Sequence, residues 1–133
     1  MTERTVITFG TFDVFHVGHV HILERAASYG NRLVVGVSSD ALNFSKKQRT
    51  PVYSQQDRLK IISSLSFVDT VFLEESLDLK EQYIKKHNAS ILVMGDDWLN
   101  KFDQFKAICD VVYLPRTPSI STTAIIEVVK SIE

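Results

Sequence analysis

The stretch "TVITFGTFDVFHVGHVHILERA", residues 5–26, decides how the rest of the chain is read. Its opening, "TVITF" (5–9), is β-branched and aromatic and reads as a strand. From Val17 onward, "VGHVHILERAASYG" predicts a helix with Val20, Leu23, Ala26 and Ala27 on one face and Gly30 as its stop. Between the two lies a turn holding glycine, hydroxyl, carboxylate and the histidines His16 and His19. Strand, polar turn and helix together are the repeating unit of a parallel α/β sheet, because parallel strands need long crossovers and usually make them with helices.

The unit recurs along the chain. "RLVVGVS" (32–38) reads as a second buried strand. "SDALNFSKKQRTPVY" (39–53) is polar and holds Pro51, which predicts a loop at least in part. Ser54 opens "SQQDRLKIISSL", where Ser-x-x-Asp resembles a capping box at a helix start. "VDTVFL" (68–73), "SILVM" (90–94) and "DVVYL" (110–114) read as further strands. "LDLKEQYIKKHN" reads as a mostly solvated helix, "KFDQFKAIC" as a short one and "STTAIIEVVKSI" as the closing one, with Ser121 as its N-cap. The expectation is one α/β domain over 1–133: a Rossmann-like, five-stranded parallel sheet with helices on both faces.

Composition narrows the function. The 133 residues are 44% hydrophobic and 23% charged, with a net charge of −1 and no acidic or basic block. That balance fits a globular core and argues against non-specific nucleic-acid binding, which leaves a basic footprint. No apolar run approaches the ~20 residues that span a bilayer, and "MTERTVITFG" has no signal-peptide layout. The single cysteine, Cys109, excludes an internal disulfide and fits a reducing cytoplasm; its place in a helical stretch reads as core filling rather than nucleophile. His21 reads as a helix-surface residue, and His87 as a residue near a helix C-terminus, where a cation is mildly favourable.

In such sheets ligands sit outside the carboxyl ends of the strands. Here four post-strand segments rich in chemistry fall on that edge: "GTFDVFHVGH", the Lys/Arg stretch after residue 38, "GDDW" (95–98) and "RTPSISTT" (116–123). Gly10 lets backbone approach a ligand, Thr11 offers a hydroxyl, and Gly18 leaves space between two imidazoles at a helix start. Helix starts favour anions, and protonated imidazoles add charge neutralisation. Two other readings of the histidine pair stand beside this one. With Asp13 they supply three ligands for zinc, although no cysteine pair or further metal spacing supports it. They are also plain polar groups near a helix cap.

"GTFDVFHVGH" resembles the (G/x)-T-F-D-x-x-H-x-G-H signature of the cytidylyltransferase family within the nucleotidyltransferase superfamily. "RTPSISTT" resembles that family's second signature, R-T-x-G-I-S-T, and "VMGDDW" and "VVYLPRTP" resemble its glycerol-type members. The resemblance runs from Val6 to about Ile126. It implies transfer of CMP from CTP to a phosphorylated polyol, sn-glycerol 3-phosphate first among them, by in-line attack of the acceptor phosphate on the α-phosphate. Magnesium carried by CTP, a cytoplasmic homodimer, and a role in cell-surface polymer synthesis come with it, and neither nucleic acid nor membrane is an expected partner.

By the same resemblance, His16 and His19 contact the triphosphate and stabilise the transition state, and Thr11 binds a phosphate. Gly10, Phe12 and Gly18 complete the nucleotide-binding turn, and Asp13 organises the site or meets the acceptor. Lys46 reaches the phosphates of acceptor and CTP, with Lys47 and Arg49 as substitutes, and Arg58 is a second acceptor contact. Asp96 and Asp97 border the nucleotide pocket or cap the next helix, and Trp98 is wall or core. Arg116, as a catalytic residue, and Thr117 contact cytosine and ribose; Ser121, Thr122 and Thr123 hold the β- and γ-phosphates at a helix start.

Three departures bear on the acceptor. Ser119 replaces the signature glycine, Ser66 stands where glycerol-type enzymes carry an arginine, and Leu77 is nearest to their tryptophan. They raise a different phosphorylated acceptor as an alternative. An adenylyltransferase of the FAD-synthase type and a non-catalytic nucleotide-binding regulatory subunit are the others.

Overall fold

The structure is a computed structural model that describes residues 3–115 and 121–132. Five strands, β1 (Thr5–Gly10), β2 (Arg32–Ser38), β3 (Thr70–Glu74), β4 (Ile91–Gly95) and β5 (Asp110–Leu114), form one parallel sheet in the order β3-β2-β1-β4-β5. The order reverses between β1 and β4, which opens a crevice at the carboxyl ends of those strands. Val6 pairs with Leu33 on one side and Ile91 on the other.

Alternate residues of each strand enter different cores, which is why the strands are apolar nearly throughout. Val6, Leu33, Val35 and Val93 face α1 (Val17–Ala27) and α3 (Gln55–Ser63) through Leu23, Ala26 and Ile62. Ile7, Val34, Leu92 and Met94 face α4 (Lys80–Lys86) and the 3-10 segment Asp103–Ala107 through Ile84, Phe102 and Phe105. Helices therefore cover both faces. Ile7 is 0% exposed, and its truncation to alanine costs about 2–5 kcal/mol.

Local structure departs from the sequence expectations at four places. The polar stretch after β2 is largely helical: α2 (Asp40–Lys47) starts on Ser39, whose hydroxyl accepts from the Leu42 N–H, and stops at Gln48 in the left-handed region, φ 59°. Asp40 in its first turn and Lys46 and Lys47 in its last suit the helix dipole. Second, α1 ends at Ala27, and Gly30 is no left-handed stop; a side chain there would run into the Arg4 carbonyl. Third, α4 is not merely solvated, since it buries Lys80 and Ile84. Fourth, "KFDQFKAIC" forms 3-10 rather than α structure, and Cys109 is half-buried. The closing helix, α5 (Thr122–Lys130), is capped by Ser121 as expected.

Candidate active site

A cleft of about 440 Å³ opens at the carboxyl edge of the sheet. It gathers Gly10, Thr11, Phe12, Asp13, His16, Gly18 and His19 from the first turn, Lys46, Lys47 and Arg49 from the end of α2 and beyond, Asp97 after β4, and Ser121, Thr122 and Thr123 at the start of α5.

The two histidines build the start of α1. His16 is the N-cap, with extended backbone, and its Nδ1 accepts from the Gly18 N–H at 3.0 Å. The His19 Nδ1 accepts from the His16 N–H at 3.2 Å, and the rings stack with centroids 3.8 Å apart. This is a capping box made of imidazoles. An Nδ1 that accepts a hydrogen bond carries no proton, so each neutral ring carries its proton on Nε2 and has that N–H to give. Burial pushes His19 down to about 4; neighbouring His16 lowers it further and Asp13 partly opposes. Burial also lowers His16. Burial thus favours the neutral, Nε2-protonated form of both rings.

The turn that delivers them is strained. Phe12 and Val14 have φ of 54° and 47°, a region that costs a β-branched residue on the order of 1–3 kcal/mol. Asp13, between them, holds the turn: its carboxylate accepts from the N–H groups of Val14, Tyr53 and Val52 at 3.0, 2.8 and 2.7 Å. Those bonds tie the first turn to the segment after α2, so Asp13 organises the site through backbone. Thr122 adds a second tie, its hydroxyl donating to the Asp13 carbonyl at 2.8 Å. Gly10 serves the same turn, because a Cβ there would meet the Phe12 ring at 2.7 Å.

Several expected contacts sit differently. The Thr11 hydroxyl donates to the Asn43 Oδ1 at 2.7 Å, so its proton is aimed at Asn43 rather than into the cleft. Asn43 is buried and is itself fixed by its amide donating to the Ser39 carbonyl at 3.0 Å. Arg58 is corrected as an acceptor contact. Its side chain is 0% exposed and donates to Tyr53, Thr11 and Ser38 carbonyls and to the Asp40 carboxylate, at 3.0, 3.0, 2.7 and 2.6 Å. The guanidinium is consumed in joining the turn after β1, β2, α2 and the segment before α3. Asp96 is exposed and outside the cleft lining, whereas Asp97 lines it; neither caps a helix with its side chain. Trp98 lines the wall and packs on Phe102, ring centroids 5.2 Å apart. Arg116, Thr117 and Ser119 lie outside the described residues. Leu77 lines the cleft, but Ser66 is exposed in the turn before β3, at the opposite edge of the sheet.

Sequence reasoning missed the cleft floor beside Lys46. Lys80 on α4 and Glu74 at the end of β3 form an ion pair of 2.6 Å, with side chains 3% and 2% exposed. The Lys80 ammonium lies 3.7 Å from the centroid of the Phe9 ring. Burial lowers the Lys80 pKa while Glu74 raises it, and burial likewise lowers Lys46, again opposed by Glu74. Glu74 closes a strand on the ligand edge, so the positional rule for such sheets marks it; Lys80 had no comparable signal inside a helix that reads as solvated.

Among the described residues, no group of three His, Cys, Asp or Glu side chains is placed to hold a metal ion. No helix among them is long and apolar enough to cross a membrane.

Comparison with known proteins gives the family and the likeness of fold. The sequence profile described as cytidylyltransferase-like matches residues 7–128. A Bacillus subtilis strain 168 protein named glycerol-3-phosphate cytidylyltransferase is 48% identical over 124 residues, covering 93% of this chain and 95% of the relative. A protein of the same name from Bacillus spizizenii is 44% identical over 122 residues, covering 92% and 94%. Among solved structures, a lipopolysaccharide core biosynthesis protein from Thermoplasma volcanium superposes with a TM-score of 0.73 at 24% identity, covering 87% of this chain and 99% of that one, which is a likeness of fold.

Proposed function

Because the chain belongs to the cytidylyltransferase-like family and is a nucleotidyltransferase, we propose that it transfers CMP from CTP to sn-glycerol 3-phosphate, giving CDP-glycerol and pyrophosphate. The carrying observation is the pair of imidazoles that cap α1 through Nδ1 and keep their Nε2–H groups to give, in one cleft with the start of α5 and half-buried Lys46. An oxygen of the acceptor phosphate attacks the α-phosphorus. The bond from that phosphorus to the bridging oxygen breaks, and pyrophosphate leaves with the electron pair. A phosphate monoester has its second pKa near ~6, so the nucleophile is ionised at neutral pH and needs no general base. What the protein supplies is alignment and charge stabilisation.

In this reading the Nε2–H groups of His16 and His19 donate to the triphosphate as charge builds on the α-phosphate. The start of α5, with Ser121, Thr122 and Thr123, holds the departing phosphates. Lys46 neutralises the acceptor phosphate, and Asp97 accepts from the cytosine amino group. Arg116 and Thr117 keep the cytosine and ribose roles that the family resemblance gives them. Magnesium is proposed to arrive on CTP, where it neutralises triphosphate charge. What supports a substrate-borne ion is the donor set: the Asp13 carboxylate is taken by backbone amides and that of Glu74 by Lys80. A cytoplasmic setting rests on the single cysteine and near-neutral charge, and a homodimer on the family resemblance; a sedimentation mass tests the latter.

The deciding assay follows pyrophosphate release from CTP and from ATP, with magnesium and sn-glycerol 3-phosphate, for wild type and His16→Ala. CTP-specific turnover that collapses in the variant is the expected result. Turnover with ATP instead, or only with another phosphorylated acceptor, defeats the reading.

A further inference from the structure

Helix α2 places a polar side chain where an apolar one would pack. Asn43 is 2% exposed and lies inside the helix, where asparagine is a weaker helix former than leucine. Burying an amide costs free energy unless its polar atoms are paired. We propose that Asn43 is a positioning residue for the transfer: it accepts the Thr11 hydroxyl proton in a hydrogen bond, so the Thr11 oxygen presents only lone pairs to the cleft, and there it accepts from the Lys46 ammonium and holds that cation for the acceptor phosphate. This rests on the reading of Lys46 as the acceptor-phosphate contact and extends it to the side chains that hold the lysine.

Three observations carry the assignment. First, the direction of each hydrogen bond is forced. The Asn43 amide nitrogen donates to the Ser39 carbonyl at 3.0 Å and to the Ser38 carbonyl at 3.4 Å, and a carbonyl only accepts. The other end of the amide is therefore its oxygen, which also only accepts, so the Thr11 hydroxyl has to donate across their 2.7 Å contact. A hydroxyl has one proton, and with it given to Asn43, Thr11 meets a cleft group only by accepting from it. Ionised phosphate oxygens have no proton to give, whereas an ammonium has three. Second, Thr11, Asn43 and Lys46 all line the cleft. Asn43 and Lys46 stand three residues apart on α2, a spacing that puts them on one face of the helix. Lys46 makes no ion pair among the described residues, so none of its donors is committed to a carboxylate there. Third, the link is clamped. Arg58 donates to the Thr11 carbonyl at 3.0 Å and to the Ser38 carbonyl at 2.7 Å, which fixes the backbone on both sides of it. In such a chain each hydrogen bond polarises the next, so a hydroxyl that donates is a better acceptor.

The test is a pair of double-mutant cycles on the full chain with CTP, magnesium and sn-glycerol 3-phosphate. Thr11→Val and Asn43→Leu are each expected to raise KM for the acceptor by about 5–10-fold, the scale of one net hydrogen bond, while CTP binding measured without acceptor changes by less than about twofold. In a Lys46→Met background the same substitutions are expected to change that KM by less than about twofold, because the side chain they act through is gone. A residue that only supports α2 keeps its full effect in that background. If Asn43→Leu loses its thermal transition, Thr11→Val is read in its place, since it removes the hydroxyl and leaves the amide. Losses of undiminished size in the Lys46→Met background, an unchanged acceptor KM in Thr11→Val, or weakened CTP binding overturn the assignment while leaving Lys46 as the phosphate contact. An unchanged acceptor KM in Lys46→Met overturns both. If wild type uses only another phosphorylated acceptor, the cycles are run and read with that one; no turnover with any of them defeats the transfer and this assignment with it.

Discussion

The His16 and His19 imidazoles cap one helix reciprocally: the Nδ1 of His16 accepts from the Gly18 N–H, and the Nδ1 of His19 accepts from the His16 N–H. One arrangement thus fixes the end of α1, the tautomer of both rings and the direction of both Nε2 donors. Structure and chemistry are entangled there, and an alanine at either position removes both at once.

A substitution that keeps the cap but drops the donor separates them. Asparagine is a good N-cap, so His16→Asn retains an acceptor for the helix start while removing the Nε2–H. Its thermal midpoint should stay close to wild type, whereas His16→Ala loses about 1 kcal/mol of stability. Both should lower kcat for CTP-dependent pyrophosphate release by about 10²–10³, the scale for a single lost transition-state donor. Near-normal turnover in His16→Asn would reduce the residue to a helix cap.

Acid should unfold the protein partly through His19. Its folded pKa is about 4, against an ordinary value of 6.5. A group depressed in the folded state binds protons more readily when unfolded, so stability rises with pH across that interval. The contribution is fully present above pH 6.5 and is lost as pH falls from there toward about 4. Thermal midpoints measured across this window should drop for wild type. His19→Gln, which preserves a capping-box side chain without a titrating ring, should show a shallower decline. Parallel curves for the two proteins would count against the assignment.

Arg58 is predicted to act on stability. Its side chain reaches four partners in four elements and has no exposure, so Arg58→Met leaves the carboxylate of Asp40 and three carbonyls without it. The expected loss is about 3–5 kcal/mol in denaturant unfolding. Arg58→Lys should rescue little, because a lysine cannot reproduce the forked geometry. Where the variants remain folded, their relative use of different acceptors should match wild type; a selective loss of one acceptor would restore Arg58 to the binding site.

The contrast between Arg58 and His16 shows what was legible in the sequence. Strand positions, both cores and the ligand edge followed from the period of apolar residues and the position of glycine and histidine. The turn at 10–19 was legible because its residue types serve little else. Arg58 was misread because a motif position gives the residue but not whether its side chain faces inward. Lys80 was hidden for the opposite reason: a lysine in a polar helix looks solvated until the aromatic rings of distant Phe9 and Phe102 enclose it. Helix α2 was obscured by its polar composition, although Ser39, Asp40 and the paired lysines mark its two ends. His87 caps α4 where a cation looked favourable, yet burial and the neighbouring charges of Lys86 and Arg32 lower its pKa.

Lys46 should show its role in the acceptor rather than in CTP. It shares the cleft with Lys47 and Arg49, but those two are exposed, while Lys46 is half-buried and close enough to Glu74 and Lys80 to shift with their charges. A partly desolvated ammonium binds a phosphate more strongly than a solvated one, since less water shields the pair. Lys46→Met is therefore expected to raise KM for sn-glycerol 3-phosphate by about 10–100-fold, the range of a charge-assisted hydrogen bond. CTP binding measured without acceptor should change little. Lys47→Met and Arg49→Met should each alter the acceptor KM by less than about threefold, the scale of exposed ion pairs. The opposite order, with Lys47 or Arg49 dominant, would mean that the segment after α2 folds over the acceptor and that the end of the helix only supports it.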